Sequence, residues 1–161
     1  MKNIYTLIFT FFTVLLFGQT YNMSTTTINT CSGTFFDSGG NNGNYGNNQN
    51  FIMTFCPSTP GSSIRLEFTS FNTELNSDVM TIYDGNDINA PQVGTFSGTE
   101  LPWIIVATGE NASGCITVRF VSDGTTVSSG WVASISCVTP CQVINSLLLS
   151  SAPSANSEGV I

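Results

Sequence analysis

Histidine is absent from the 161 residues, and basic side chains nearly so: Lys2, Arg65 and Arg119 face ten acidic residues, for a net charge of −7. Without histidine, neither a Ser-His-Asp or Cys-His nucleophile nor a histidine-built zinc site is available. Without clustered Lys and Arg, phosphate backbones cannot be neutralised, so nucleic acid is excluded as a partner and anionic membrane surfaces are disfavoured. No glycine-rich phosphate loop opens a helix, since Gly39-Gly40 lies in a turn-forming context. The remaining hydrolytic chemistry is a carboxylate pair, for which Glu74 and Asp78 are the neighbours available. No other feature of a substrate cleft accompanies them, so no catalytic residue is assigned and the chain reads as non-catalytic.

Charged residues make up only 8% of the sequence, which leaves solubility to Asn, Ser, Thr and Gly and suits work outside the cell. The only long apolar run is Ile4 to Phe17, preceded by Lys2 and ending at Gly18-Gln19. Such a run is shorter than the roughly 20 residues that span a bilayer, and it reads as a secretory signal peptide over residues 1–19. The chain is therefore expected to be secreted or displayed at the cell surface. Residues 20–30 form a polar N-terminal segment. Asn41 to Asn50, rich in Asn and Gly, reads as flexible surface with Tyr45 as the one residue expected to dock.

Helical periodicity is missing beyond the leader. Short alternating segments instead predict eight strands: Gly33 to Phe36, Phe51 to Phe55, Ser63 to Phe71, Val79 to Tyr83, Gln92 to Phe96, Trp103 to Ala107, Cys115 to Val121 and Gly130 to Ser136. Pro60-Gly61, Asp84-Gly85, Ser97-Gly98, Ser113-Gly114 and Asp123-Gly124 punctuate them as turns. This spacing predicts an all-β fold, a two-sheet antiparallel β-sandwich over residues 31–138. Phe68, Phe71, Ile82, Ile104, Val118, Phe120, Trp131 and Ile135 are its expected core. Trp103 and Trp131 read as core or rim packing by their places in alternating strands, with carbohydrate stacking as the alternative. Asp84-Gly85-Asn86-Asp87 lacks the closing glutamate of a calcium loop and reads as a turn.

Three acidic residues stand in ordered frames. Ile64, Leu66, Phe68 and Phe71 lead to Glu74; Asp78 is followed by Ile82 and Gly85; Ser122-Asp123 precedes Gly130-Trp131. This order and spacing resemble those of CUB domains, secreted modules of jelly-roll β-sandwich fold, many with a calcium-binding edge. The resemblance implies Ca2+ as cofactor, with Glu74, Asp78 and Asp123 as carboxylate ligands and Thr125 and Thr126 at positions offering loop oxygens. It also implies that Tyr45 supports the glutamate by hydrogen bonding. Calcium takes six to eight oxygens, so carboxylates gathered from two loops suit it chemically. The loop between Glu74 and Asp78 is shorter than is usual in the family, and it lacks the cysteine that commonly precedes the aspartate.

Five cysteines in a secreted chain read first as disulfide partners. Pairing of Cys31 with Cys56 resembles the first CUB disulfide. Cys115 and Cys137 open and close the last two strands, and a hairpin turning near Thr126 would set them opposite each other. Apolar alternation resists that register, because Ile116, Val118 and Phe120 must face inward on one strand while Trp131, Ala133 and Ile135 do so on the next. Either a bulge reconciles the two strands or they lie in different sheets. Cys141 is left to a partner downstream, and residues 139–161 read as a linker and the start of a further domain. The arrangement is similar to the N-terminal part of long secreted surface proteins of Bacteroidetes. A calcium-dependent module for binding and adhesion to an extracellular protein or glycan is thus the expected function. An accessory domain of a secreted hydrolase or peptidase is the alternative.

Overall fold

The structure is a computed structural model that describes residues 18–139. The leader expected over residues 1–19 lies almost wholly outside the described residues, as do Cys141 and nearly all of the linker. Ten strands run in chain order as β1 (Thr20–Asn22), β2 (Thr26–Asn29), β3 (Ser32–Phe36), β4 (Asn50–Cys56), β5 (Ser63–Asn72), β6 (Val79–Tyr83), β7 (Gln92–Phe96), β8 (Ile104–Val106), β9 (Ile116–Val121) and β10 (Gly130–Val138). They form two five-stranded sheets, β1-β3-β10-β5-β8 and β2-β4-β9-β6-β7, packed as a sandwich. The predicted two-sheet architecture is correct, and its eight strands correspond to β3 through β10.

Residues 20–30, expected only as a polar approach, supply one edge strand to each sheet. β1 pairs with β3 and β2 with β4, both in parallel, so the sheets are mixed rather than purely antiparallel. Alternation could not mark these strands, because they bury little and are mostly Thr and Asn.

The register conflict between the last two strands resolves by their separation: β9 lies in one sheet and β10 in the other. Each then turns its own alternating set inward. A bulge does occur, but elsewhere. On β5, Phe68 pairs with Ala133 and Ser70 with Val132, so two β5 residues face one step of β10. That extra residue lets Phe68 and Phe71, three positions apart, both face the core. Trp131 stands at its centre, edge-on to Phe35 at 5.5 Å and to Phe120 at 4.9 Å between ring centroids. Of the expected core residues Ile104 alone fails, being 50% exposed, while its neighbour Ile105 is 7% exposed. Ile105 pairs with Leu66, whose side chain faces the core, and Ile104 pairs with outward Glu67.

The disulfides join Cys31 to Cys137 and Cys56 to Cys115, correcting both expected pairings. Ladder register dictates this. Ser32 pairs with Ser136, which sets Cys31 beside Cys137 at the next step; Phe55 pairs with Ile116, which sets Cys56 beside Cys115. The Cα atoms stand 4.8 and 4.2 Å apart. Each bridge ties two neighbouring strands of one sheet, and both close the same rim of the sandwich.

The opposite rim carries three crossings between the sheets. Gly130 pairs with Asn72, and Val79 with Val121, so the β5–β6 and β9–β10 connections leave the sheets side by side. Asn50 also pairs with Val121, which brings the β3–β4 connection to the same place. Residues distant in sequence meet here because three chain reversals share one end.

Candidate functional site

Glu74 and Asp78 come from the β5–β6 connection and Asp123 from the β9–β10 connection. One carboxylate oxygen from each lies within 4.8 Å of the other two. The short loop does not separate Glu74 from Asp78. The Asp78 backbone N–H donates to the Glu74 carbonyl at 3.1 Å, and Asn76 at the turn takes φ +63°, a left-handed conformation that asparagine tolerates. Thr73 fastens the turn from below, its hydroxyl donating to the Asp78 carbonyl at 2.8 Å and accepting from the Gly98 N–H at 3.1 Å.

Asp78 is fully buried, and both its oxygens are engaged. Oδ2 accepts from the Tyr45 hydroxyl at 2.6 Å, and Oδ1 from the Asp123 N–H at 2.9 Å. The same Tyr45 oxygen accepts from the Glu74 N–H at 3.0 Å. Tyr45 is itself buried against Phe120, and desolvation together with the Asp78 hydrogen bond pushes its pKa up to about 12, so it remains a donor. Thr125 joins the cluster: its hydroxyl lies 2.8 Å from Asp123 Oδ1 and 3.4 Å from Glu74 Oε2, and its N–H donates to Asp123 Oδ1 at 2.8 Å. Thr126 is exposed and makes no hydrogen bond to the three carboxylates.

Two arginines are the cations among the described residues, and both are occupied elsewhere. Arg65 pairs with Glu67 at 2.8 Å, and Arg119 donates to Asn50 at 3.1 Å. The acidic rim therefore gathers three carboxylates, one of them buried, with hydrogen bonds but no counter-charge. A buried carboxylate without a cation is costly, and an all-oxygen donor set suits a hard divalent ion. The residues present fit such an ion.

The family model for the CUB domain matches residues 25–135. The chain belongs to the CUB domain family. Its CUB domain is similar to part of cubilin from Rattus norvegicus, 37% identical over 94 residues that cover 56% of this chain and 2% of cubilin. Among solved structures it resembles the CUB1-EGF-CUB2 region of human MASP-1/3, at 19% identity and a TM-score of 0.57 over 73% of this chain and 43% of that one. It also resembles the MASP-1 CUB2 domain bound to Ca2+, at 21% identity and a TM-score of 0.55 over 70% of this chain and 98% of that one. The chain thus spans a small fraction of the curated relative's length. CUB domains are binding modules without catalytic activity, in keeping with the missing nucleophile machinery.

Sequence reasoning missed how this CUB domain holds its acidic rim. The Asn and Gly stretch before β4, expected to be flexible, is pinned from Tyr45 to Gln49. Asn48, at φ +56°, donates its N–H to the Asp123 carbonyl, and the Asn47 side chain reaches the Gly124 carbonyl at 3.2 Å. Buried Ser122 accepts from the Gln49 N–H at 3.0 Å and donates to the Gly46 carbonyl at 2.8 Å. One left-handed residue, Asn48, and the close approach of Gly43 to the Gly39 carbonyl account for part of this composition, and asparagine side chains that bond locally for another. Asp84 keeps its turn reading: it accepts from Thr108 and Asn111 and fastens a neighbouring loop.

Asp37 begins the same stretch and is buried. Its Oδ1 accepts from the Gly39 N–H at 2.6 Å, whereas Oδ2 has no partner. Gly130, at φ +66°, abuts that carboxyl, and a Cβ there would collide with it. Desolvation pushes the Asp37 pKa from 3.8 up to about 6, and the hydrogen bond from the Gly39 amide offsets only part of this. The folded state consequently holds a proton that the unfolded chain releases between pH 4 and pH 6. Stability from this group is present below that window and falls as pH rises through it, by up to about 1.4 kcal/mol per pH unit. Asp37→Asn is expected to flatten that slope and to raise the melting temperature at neutral pH, as checked by thermal unfolding across pH.

Proposed function

We propose that this CUB domain binds calcium through Glu74, Asp78 and Asp123 and uses the ordered acidic rim to dock an extracellular ligand. Buried Asp78, sharing its oxygens with Tyr45 and Asp123 beside two further carboxylates and no cation, carries this reading. The fold shared with the MASP-1 CUB2 domain bound to Ca2+ supports it. Glu74, Asp78 and Asp123 would hold the ion, whose positive charge would tie the two connections together. Tyr45 and the Asp123 amide orient Asp78, and Thr125 orients Asp123.

Carboxylates not fully neutralised by the ion leave the rim acidic, so a ligand presenting a basic side chain is its complement. A protein ligand of this kind suits adhesion. Secretion through the leader over residues 1–19, and further domains continuing from the segment 139–161, belong to the same proposal. Isothermal titration with calcium tests it: one ion bound per chain, and a melting temperature higher in calcium than in chelator, are expected. Identical melting in the two conditions overturns the metal assignment.

A further inference from the structure

Trp103 stands where strand alternation assigns it to the core, yet it is 71% exposed. The Phe68 N–H donates to the Trp103 carbonyl at 2.7 Å, which extends the β5–β8 ladder by one step and sets Trp103 opposite Phe68. Ile105 and Ala107, two and four positions on, are buried as that register requires. Trp103 alone departs, because its backbone takes φ +61°. Left-handed backbone is tolerated by asparagine, as at Asn48 and Asn76, but is unfavourable for a bulky side chain. Folding thus spends local strain to hold an indole in solvent that the adjacent core does not enclose. Strain of this kind is concentrated at binding sites.

The ground beside the indole is specific. β8 is an edge strand, with Ile104 and Val106 exposed on the outer face of its sheet. Rows run inward from them by register: Ile104 to Glu67 to Ser134, and Val106 to Arg65 to Ser136. Arg65 and Glu67 bond each other at 2.8 Å, and both remain partly exposed. The edge therefore carries an exposed indole at the start of β8 and, on the outer face that begins at the next residue, two aliphatic side chains, an internally neutralised ion pair and the serine hydroxyls. It lies apart from the acidic rim, six residues back along β5 from Glu74.

We infer that the β8 edge is a second binding site, for a neutral polysaccharide, with Trp103 as the stacking plate. The C–H face of a pyranose ring matches the indole face. Its hydroxyls match Glu67 as acceptor, Arg65 as donor and the serine hydroxyls as both. Charge selects this occupant. The patch is neutral within a chain of net charge −7, so acidic polymers are repelled, while a basic peptide is drawn to the three carboxylates at the other site. A protein partner is disfavoured by size, since one indole and two aliphatic side chains fall well short of the roughly 800 Å² per partner of a stable interface. Calcium plays no part, so this inference is independent of the metal reading.

Affinity electrophoresis of the whole chain through gels containing soluble β-glucan, arabinoxylan or galactomannan, with alginate as an anionic control, tests the site. Retardation by at least one neutral polymer is expected, unaffected by chelator and absent with alginate. Trp103→Ala is expected to weaken it at least about tenfold, as losing a stacking contact implies. Trp103→Gly, which removes the strain with the plate, should bind no better than Trp103→Ala yet melt no lower than the unaltered chain. The only other tryptophan, Trp131, is buried, so acrylamide quenching reports on Trp103 and should fall when the polymer binds. No retardation by any neutral polymer overturns the inference, as does retardation that survives Trp103→Ala. So does concentration-dependent self-association in ultracentrifugation that Trp103→Ala abolishes, which would assign the plate to a second copy of the chain.

Discussion

Asp78→Asn abolishes calcium binding and the thermal stabilisation that calcium confers, while leaving the chelated protein folded. The second half of that expectation separates a lost site from a lost fold. Asparagine fills the same volume and keeps an oxygen for the Asp123 N–H, so packing around the buried side chain persists, at the loss of the acceptor for the Tyr45 hydroxyl. It removes one of three clustered negative charges, so repulsion in the metal-free state falls. With the ion, the balance reverses. At calcium concentrations about a hundred times the dissociation constant, binding stabilises the folded state by about 2.7 kcal/mol, or on the order of 10 °C for a domain of this size. Asp123→Asn is exposed and carries little risk to folding, and it should weaken binding in the same direction. Calorimetry and melting curves, each with calcium and with chelator, check both variants. Calcium stabilisation retained in Asp78→Asn would remove Asp78 from the site.

Non-reducing peptide mapping is expected to recover Cys31 linked to Cys137 and Cys56 linked to Cys115, with no Cys31–Cys56 peptide. The serine double variant at Cys31 and Cys137 should then lose up to about 4 kcal/mol of stability, measured by denaturant unfolding. The size follows from chain entropy: the bridge closes a separation of 106 residues, against 59 for Cys56 and Cys115, and longer loops gain more. Against a typical domain stability of about 5–15 kcal/mol, that loss brings the protein near its unfolding threshold at elevated temperature. Both bridges sit at the rim opposite the acidic cluster, so calcium affinity should change little where the variant remains folded. A large loss of affinity would show that the two rims are coupled.

Alternation made eight of the ten strands legible, because each turns a row such as Ile64, Leu66 and Phe68 inward. β1 and β2 were not legible, being short, polar edge strands held by backbone pairing. Ile104 and Trp103 show the limit of the same rule at a strand end. Phase was set one residue early there, since nothing local in Pro102-Trp103-Ile104 announces a left-handed residue. The three acidic frames were visible in the sequence and their carboxylates lie together, whereas Tyr45, expected to support Glu74, donates its hydroxyl to Asp78 and takes only the Glu74 backbone N–H. The bonds by which Ser122, Asn48 and Thr73 hold those frames together were not legible. Their bonds run to partners that no sequence spacing specifies, such as Gly46, Asp123 and Gly98.

By itself the sequence determined the chemistry that is available: no histidine, almost no cation, the alternation of a β-sandwich, and carboxylates in three frames. Those are properties of side-chain identity and of period two, and both are local. Tertiary structure decided which residues meet. It placed β9 and β10 in different sheets, one of the two arrangements that alternation had left open, and with that it exchanged the disulfide partners. It gathered three connections at one rim, which set Glu74 and Asp78 beside Asp123. Pairing register and the choice of sheet are settled by the shared core, where Trp131 must meet Phe35, Phe71 and Phe120 at once, and no short stretch of sequence holds that information.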